Sequence, residues 1–253
     1  MDIATLNLEG HTLARMYVLD FGTFDVGPGK RRIGIPGFLL QTDKGANLLV
    51  DTGFDPAYAT DYTATDARDN LSGFGRLVEF TAIQTPEGQL SLMGLAQRHI
   101  TAVILTHGHI DHVGSLPQFH CPVILTAMER SLPRPIYWPP IAPFDWPDVP
   151  YVTIKAETDL CQGIRLIPTP GHTPGHLSLL LTLPETGTVI LAADALNRAS
   201  EPDEGYSDAM DPAIAKTSGD HLLALRARLN ARLIYGHDPA QWASLRKAPE
   251  SYP

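Results

Sequence analysis

The chain has 253 residues, of which 43% are hydrophobic and 19% are charged. This length and apolar content suffice to bury a core, and we expect a single domain over residues 1–253. The formal net charge of −9 and the lack of long lysine and arginine runs argue against a nucleic-acid partner or an anionic membrane. The sequence shows neither a secretory signal nor an apolar run of about 18 residues, so we expect a cytoplasmic protein that does not contact a membrane.

Short β-rich runs recur along the chain and predict many strands. They read MYVLDFG, FLLQT, NLLVDTG, AVILTHG, PVILT, IRLIPTPG, SLLLTL, TVILAAD and ARLIYGHD. Helical patterns cover roughly 89–98, 112–118 and 211–230. Because strands come first and helices are interleaved later, two packed sheets with helices outside are favoured over a doubly wound parallel sheet. The last helix carries a one-sided stripe that predicts packing on a sheet, formed by Leu222, Leu223, Leu225 and Leu229.

Residues 131–150, here called the proline-aromatic segment, differ in composition from the rest of the chain. Their many prolines exclude helix and sheet interiors. We therefore expect an extended surface segment whose aromatic side chains pack on the core, on a partner subunit or on a substrate. Those side chains are Tyr137, Trp138, Phe144 and Trp146.

A few reactive residue types lie outside any motif. The two cysteines, Cys121 and Cys161, are too few for a disulfide framework or a thiolate zinc cluster, and we expect ordinary buried thiols. Four histidines are expected to be surface residues or ordinary hydrogen-bonding residues, namely His11, His99, His120 and His221.

The segment AVILTHGHIDHVGS, residues 102–115, carries the strongest chemical signal. An apolar strand leads directly into His107, His109, Asp111 and His112. Alternate positions at a strand end point the same way, and the turn into a helix brings the last two residues toward the same point. Imidazoles and a carboxylate are ligands of zinc and similar divalent metals, and such a cluster rarely arises as core packing.

Further candidate ligands follow later strand-like runs. They are His172 in IPTPGHTPGH, Asp194 in VILAAD and His237 in LIYGHD. Each alone would pass as a loop residue, but their order after the first motif predicts a completed metal site. His176, in the same turn as His172, is expected to support a ligand rather than to be one.

The HxHxDH motif, the later histidine, aspartate and histidine, and the LLVDTG strand that ends in Asp51 resemble the metallo-β-lactamase superfamily over nearly the whole chain. The resemblance implies an α/β fold, the αββα four-layer sandwich, and two divalent metal ions. Zinc is the first expectation, while manganese, cobalt and iron accept the same ligands. It also implies that Asp51 orients a ligand histidine. The implied ligands are His107, His109 and His172 on one ion, Asp111, His112 and His237 on the other, and Asp194 bridging both.

Within the superfamily, the sequence is most similar to the N-acyl-homoserine lactonases. Few residues follow His237, which leaves no room for the glutathione-binding domain of glyoxalase II, and neither an inserted RNA-processing domain nor a flavin domain is present. A true β-lactamase usually lacks the bridging aspartate and is exported. The resemblance thus implies a binuclear hydrolase that opens lactone rings. Hydrolysis of another ester class, such as a phosphotriester, phosphodiester or other cyclic ester, stays open, as does metal-dependent binding without turnover.

One position departs from the lactonase pattern. The best-known lactonases have a substrate-contacting tyrosine three residues after the bridging aspartate, and here that position is Asn197. Its amide can donate a hydrogen bond to a carbonyl or a developing oxyanion, although a plain turn residue is an equally good interpretation.

The mechanism that the resemblance implies uses two ions about 3.5–4 Å apart and a bridging hydroxide that attacks the carbonyl. Asp111 would then carry the proton to the leaving oxygen. An apolar groove for the acyl chain is expected from aromatic residues between 54 and 80 and from the proline-aromatic segment. The expected partner is a small lactone or ester, and the proline-aromatic segment is a candidate contact surface for a homodimer.

Overall fold

The computed structural model describes residues 2–27, 31–139 and 141–253. The strands are β1 (Leu13–Val26), β2 (Arg31–Thr42), β3 (Asn47–Val50), β4 (Gly75–Glu79), β5 (Ala102–Ile104), β6 (Val123–Thr126), β7 (Tyr151–Ile154), β8 (Thr158–Cys161), β9 (Ile164–Pro168), β10 (Leu177–Leu183), β11 (Gly187–Leu191), β12 (Arg232–Ile234) and β13 (Ser251–Tyr252). The α-helices are α1 (Tyr62–Asp69), α2 (Pro86–Ser91), α3 (Ile110–Val113), α4 (Ala127–Arg130), α5 (Glu201–Glu204), α6 (Pro212–Leu229) and α7 (Pro239–Ser244). Short 3-10 helices span Ile3–Leu6, Pro56–Ala59, Leu71–Gly73, Ala82–Gln84, Gln97–His99, Leu116–Gln118 and Ala193–Leu196.

These strands form two mixed sheets. The first has the order β13-β1-β2-β3-β5-β6-β7, with β4 also paired to β1. Its β3, β5, β6 and β7 are parallel, with Leu49 opposite Val103, whereas β1, β2 and β3 are antiparallel. The second sheet has the order β12-β11-β10-β9-β8 and is antiparallel except for the β11–β12 pair.

Three apolar layers separate the sheets from each other and from the helices. Successive residues of a strand point to opposite faces, so Leu48 and Val50 enter the layer between the sheets while Leu49 packs against the helices outside the first sheet. The continuous apolar runs noted in the sequence therefore mark strands that are covered on both faces. On the outer face of the second sheet, Leu222 and Leu225 of α6 pack against Ile190. The result is helix, sheet, sheet and helix, the predicted αββα sandwich.

One of the three predicted helices is present in the structure close to its predicted bounds, and the other two are not. The pattern at 211–230 corresponds to α6, which is capped by the Asp211 side chain and ends at Asn230 in the left-handed conformation. In its stripe Leu222 and Leu225 are buried, but Leu229 is 38% exposed.

The other two helix predictions were wrong in their bounds. In place of 89–98 the chain forms α2, which starts earlier because Thr85 caps it and Pro86 occupies its first turn. Beyond that helix Gly94 adopts a φ of 71°, so the pattern does not continue as one helix. In place of 112–118 it forms α3 and the 3-10 turn Leu116–Gln118.

Two further predictions need correction. The described part of the proline-aromatic segment contains no helix or ladder strand, as expected, but it is not purely a surface segment, because Tyr137 is fully buried. Both cysteines are half-buried rather than buried.

No helix among the described residues is long and apolar enough to cross a membrane.

The close contact between α3 and the loop after β3 generates a prediction. A Cβ atom on Gly114 would lie 2.4 Å from the Asp55 backbone nitrogen and 2.8 Å from the Gly53 oxygen, and backbone cannot move aside cheaply. We expect Gly114→Ala to lower the free energy of unfolding by about 2–3 kcal/mol, measured by urea denaturation. Gly94→Ala is the control for glycine loss, since its Cβ would contact nothing within 4 Å, and it should cost about 1 kcal/mol through its positive φ alone. Equal losses for the two variants would contradict the packing argument.

Candidate metal centre

The chemically active side chains lie together at one edge of the sandwich. They follow the carboxyl ends of strands from both sheets, where the chain leaves each strand and turns. Asp51 follows β3, and the HxHxDH motif follows β5 in the first sheet. In the second sheet His172 lies between β9 and β10, Asp194 follows β11 and His237 follows β12.

The first cluster contains His107, His109, His172 and Asp194. Its ligand atoms lie within 4.8 Å of one another. The Nδ1 atom of His109 is 3.1 Å from His107 Nε2 and 2.9 Å from His172 Nε2. The Oδ2 atom of Asp194 is 3.2 Å from His172 Nε2 and 3.9 Å from His107 Nε2.

The second cluster contains Asp111, His112 and His237. The Oδ2 atom of Asp111 lies 3.6 Å from His112 Nε2 and 3.3 Å from His237 Nε2. The other carboxylate oxygen of Asp194, Oδ1, lies 3.4 Å and 3.3 Å from the same two nitrogens. Asp194 thus presents one oxygen to each cluster, which is the arrangement expected of a bridging ligand.

The donor set fits divalent cations. His112 Nε2 and Asp194 Oδ1 are buried without any hydrogen-bond partner, a costly state unless another group occupies the space between them. Tetrahedral zinc with Zn–N bonds of 2.0–2.1 Å spaces its ligand atoms about 3.3 Å apart, close to the separations in both clusters. In addition, no lysine or arginine among the described residues pairs with Asp111 or Asp194. The role of all seven residues as ligands stays a prediction.

Asp51 supports both clusters from behind. Its Oδ2 accepts from His112 Nδ1 and from the Thr106 hydroxyl at 2.8 Å each, and its Oδ1 accepts the Thr106 backbone N–H at 2.8 Å. The Thr106 hydroxyl is in turn 3.0 Å from His107 Nδ1. These bonds hold Asp51 at a φ of 61°, in the left-handed region that a non-glycine residue rarely adopts. Asp51 therefore contacts a candidate ligand histidine, as the resemblance implied.

His176 supports the bridging carboxylate. Its Nε2 accepts the backbone N–H of Asp194 at 3.1 Å, and its Nδ1 is 2.9 Å from the hydroxyl of Thr169. Both ring nitrogens are thus engaged, which agrees with the expected supporting position. His237 is oriented in a similar way, since its Nδ1 donates to the Gly34 carbonyl at 2.9 Å.

Two buried carboxylates near the site were missed by the sequence reasoning. Glu129, fully buried, accepts three hydrogen bonds from the loops that carry the first cluster. Its sequence context, TAME, looks like an ordinary helix capping box, so no signal separated it from a surface glutamate. Asp69, also fully buried, accepts from the hydroxyls of Tyr58 and Tyr137 at 2.9 and 2.8 Å. The Tyr137 backbone in turn pairs with Gly108 and Ile110, on either side of His109.

A pocket of about 560 Å³ opens onto both clusters. One wall is a row of aromatic rings, in which Trp138, Phe74, Phe24 and Phe54 follow one another at centroid distances of 5.5, 5.8 and 5.7 Å. Phe74 is 48% exposed although it is a large apolar residue. Of the aromatic residues expected from 54–80 and from the proline-aromatic segment, only some line the pocket, namely Phe54, Phe74, Tyr137 and Trp138. Phe24 of β1 is an addition that the sequence reasoning missed.

The opposite end of the pocket is polar. Asn197, 6% exposed, lines it, and its backbone N–H donates to Glu201 while its carbonyl accepts from His237. Its side-chain oxygen Oδ1 is buried without a hydrogen-bond partner. Arg198 also lines this end, where Glu204 and Asp208 bind its guanidinium.

The four histidines outside the motifs have ordinary roles. His11 lies 2.9 Å from the Thr42 hydroxyl, and His99 accepts the Ala96 backbone N–H. His221 is 3.4 Å from Glu157, and His120 is exposed. None of them belongs to the clusters.

The sequence profile described as Metallo-beta-lactamase superfamily matches residues 35–237, a range that contains both clusters. The chain belongs to the metallo-beta-lactamase superfamily. This membership confirms the predicted fold and the predicted enzyme class, a metal-dependent hydrolase.

Several relatives share one activity in their names. N-acyl homoserine lactonase AiiA of Bacillus thuringiensis subsp. kurstaki is 28% identical over 220 residues, which cover 84% of this chain and 84% of that protein. N-acyl homoserine lactonase AttM of Rhizobium radiobacter is 27% identical over 270 residues, covering 94% and 98%. A solved N-acyl homoserine lactone hydrolase with the product N-hexanoyl-L-homoserine at its catalytic metal center has a TM-score of 0.79 at 24% identity, covering 95% of this chain and 100% of that one. This structural likeness supports the fold.

Protonation differs between the clusters of this superfamily member. Burial, together with the neighbouring His172, lowers the pKa of His109 to about 3. Burial also disfavours a charged His237, but the carboxylates of Asp194 and Asp111 outweigh it and raise the pKa of His237 to about 10. The pKa of His112 is raised in the same way by Asp111, Asp194 and Asp51 against the effect of burial. Without metal, His112 and His237 therefore hold protons near neutral pH, whereas His109 does not.

Metal binding should displace those protons. Below pH 10 the metal-free His237 is protonated, and a metal needs its lone pair, so affinity should rise with pH over this range. At pH 8 we expect His112 and His237 to release about two protons as both clusters fill, and ionisation of metal-bound water to add about one more, measured by calorimetry in buffers of different ionisation enthalpy. His237→Gln should release about one proton fewer. A binding heat that is the same in every buffer would contradict the prediction.

Proposed function

We propose that this protein is a lactone hydrolase that acts on N-acyl homoserine lactones. The observation that carries the proposal is the pair of His/Asp clusters that share Asp194 at the base of a pocket with an aromatic wall. The names of the relatives support the same substrate class. The whole chain would act as one hydrolase domain, since residues from both sheets form the site.

The proposed metal centre holds two divalent ions. His107, His109 and His172 would bind one ion, Asp111, His112 and His237 the other, and Asp194 would bridge them. Zinc suits this mixture of imidazole and carboxylate donors. When bound, the two ions would lower the pKa of water to supply a nucleophile and would polarise the substrate carbonyl.

The protein's own residues would bind and orient the substrate. The aromatic row from Trp138 to Phe54 offers an apolar surface to an acyl chain. At the other end the Asn197 side-chain nitrogen would donate to the carbonyl oxygen as negative charge develops there.

Asp111 lines the pocket and is 16% exposed. Burial raises the pKa of Asp111, but His112 and His237 outweigh burial and lower this pKa to about 2. Its carboxylate would therefore accept the proton that the attacking water loses and pass that proton to the leaving ring oxygen.

The charge of the pocket favours a neutral ester over a phosphodiester. Arg31 and Arg198 line it, and guanidinium groups commonly bind phosphate. Here, however, Arg198 pairs with Glu204 and Asp208, and Arg31 lies 4.0 Å from Asp208. The two cations are thereby largely neutralised.

The predicted cytoplasmic location and homodimer stay predictions.

The decisive experiment measures metal content per chain and acid release from a series of N-acyl homoserine lactones. We expect about two metal ions per chain and lactone turnover, with kcat/KM rising with acyl length as the aromatic wall is covered. Simple lactones without an acyl chain and a phosphodiester serve as controls. Two ions per chain with turnover of the phosphodiester but of no lactone would refute the substrate assignment. Fewer than two ions per fully loaded chain would refute the binuclear site.

Asn197 provides a second prediction. Because its backbone bonds do not involve the side chain, Asn197→Ala should fold normally and keep its metal content. We expect kcat to fall about 10- to 100-fold through loss of the donor, with a small change in KM. Asn197→Asp, equal in size but without the amide donor, should lose at least as much. Wild-type kcat in the alanine variant would make Asn197 a plain turn residue.

A further inference from the structure

We infer that Glu129 is a positioning residue that holds the first metal cluster together by joining the two loops that carry its histidines. The inference rests on the proposed metal centre and goes beyond it, because Glu129 lies in α4 and belongs to neither cluster. The role inferred for this buried carboxylate is to raise metal affinity rather than to stabilise the fold in general.

The Glu129 carboxylate divides its bonds between two distant parts of the chain. Its Oε1 accepts the backbone N–H of Gly108 at 2.9 Å. Its Oε2 accepts the Thr173 hydroxyl at 2.8 Å and the Gly175 backbone N–H at 3.1 Å. Each oxygen thus serves a different loop, so a single rigid group sets the distance between them.

Those loops carry the three histidines of the first cluster. Gly108 lies between His107 and His109, and Thr173 follows His172. The ring nitrogens of these histidines approach one another at 2.9 and 3.1 Å. A metal ion can bind all three rings only if their nitrogens converge, so a group that fixes the distance between the two loops holds this geometry.

The start of α4 packs closely against the loop that carries His172. A Cβ atom on Gly175 would lie 2.1 Å from the Glu129 backbone nitrogen and 2.5 Å from the Thr126 hydroxyl oxygen. The Thr126 hydroxyl donates to the Gly175 carbonyl at 2.6 Å and accepts the Glu129 backbone N–H at 3.1 Å. The α4 terminus and the His172 loop are therefore in direct contact, with the carboxylate between them.

The charge of Glu129 also fits the proposed role. Among the described residues no lysine or arginine forms an ion pair with it, and burial raises its pKa against the three hydrogen bonds that favour the anion. A second nearby anion, Asp51, bonds directly to a histidine of the second cluster. Glu129 acts instead through backbone N–H groups, which is why no sequence motif reveals it.

The test replaces Glu129 by glutamine. A glutamine amide has one acceptor oxygen and one NH2 group, so in either orientation an NH2 group faces a donor of Gly108 or of the Thr173 loop. We expect Glu129→Gln to weaken binding of one of the two metals 10- to 100-fold, measured by chelator competition with zinc. In the visible spectrum of the Co2+-loaded protein, the absorption bands of one of the two ions should change. Glu185→Gln, on the surface, is the matched control and should match wild type.

A graded variant covers the case in which glutamine prevents folding. Thr173→Val removes one of the three hydrogen bonds to Glu129 and should weaken binding of the same metal ion by a smaller factor. A lower melting temperature for metal-free Glu129→Gln, with wild-type affinity for both metals and an unchanged Co2+ spectrum, would overturn the inference and leave a purely structural role. If only Thr173→Val folds, wild-type affinity in that variant overturns it. Wild-type protein that binds no zinc would instead refute the proposed metal centre, and this inference with it.

Discussion

A group of buried and partly buried carboxylates without a lysine or arginine partner is the constraint on which the rest of this structure depends. Asp51, Asp111, Asp194 and Glu129 lie at one edge of the sandwich, and no lysine or arginine among the described residues pairs with any of them. Carboxylates in such a place cost several kcal/mol each unless charge or hydrogen bonds compensate them. Two divalent cations would supply four positive charges against these four carboxylates. The protons that the second cluster holds without metal are a partial substitute.

The αββα architecture makes this concentration possible. Strands of both sheets end at the same edge, so residues as far apart along the chain as Asp51 and His237 meet there. The groups that converge on the site are held by neighbouring residues. Asp51 orients His112, and Thr106 orients His107. His176 bonds the backbone of Asp194, and Glu129 joins the loops that carry the histidines of the first cluster. Supporting bonds of this kind fix ligand geometry before the metal arrives.

The same edge is closed on one side by the proline-aromatic segment. The buried Tyr137 is anchored by Asp69, and its backbone pairs with the residues on either side of His109. Its neighbour Trp138 begins the aromatic wall of the pocket. One segment therefore connects the proposed acyl-binding surface with the first metal cluster. The sequence had left open whether these aromatic residues pack on the core, a partner or a substrate; Tyr137 packs on the core, and Trp138 lines the pocket.

The sequence by itself determined the covered strands, the four-layer class and the seven candidate ligands, because apolar runs, the HxHxDH motif and polar residues that follow later strand-like runs are local signals. It placed α6 well, but it misplaced the helix at 89–98, since a cap at Thr85 and a turn at Gly94 outweighed the apolar pattern. Only the tertiary structure revealed Glu129 and Asp69. A buried carboxylate that accepts bonds from distant backbone looks, in sequence, like a surface residue. Likewise, the pocket brings together Phe24, Phe54, Phe74 and Trp138 from separate elements, and no local pattern records which side chains meet across such distances.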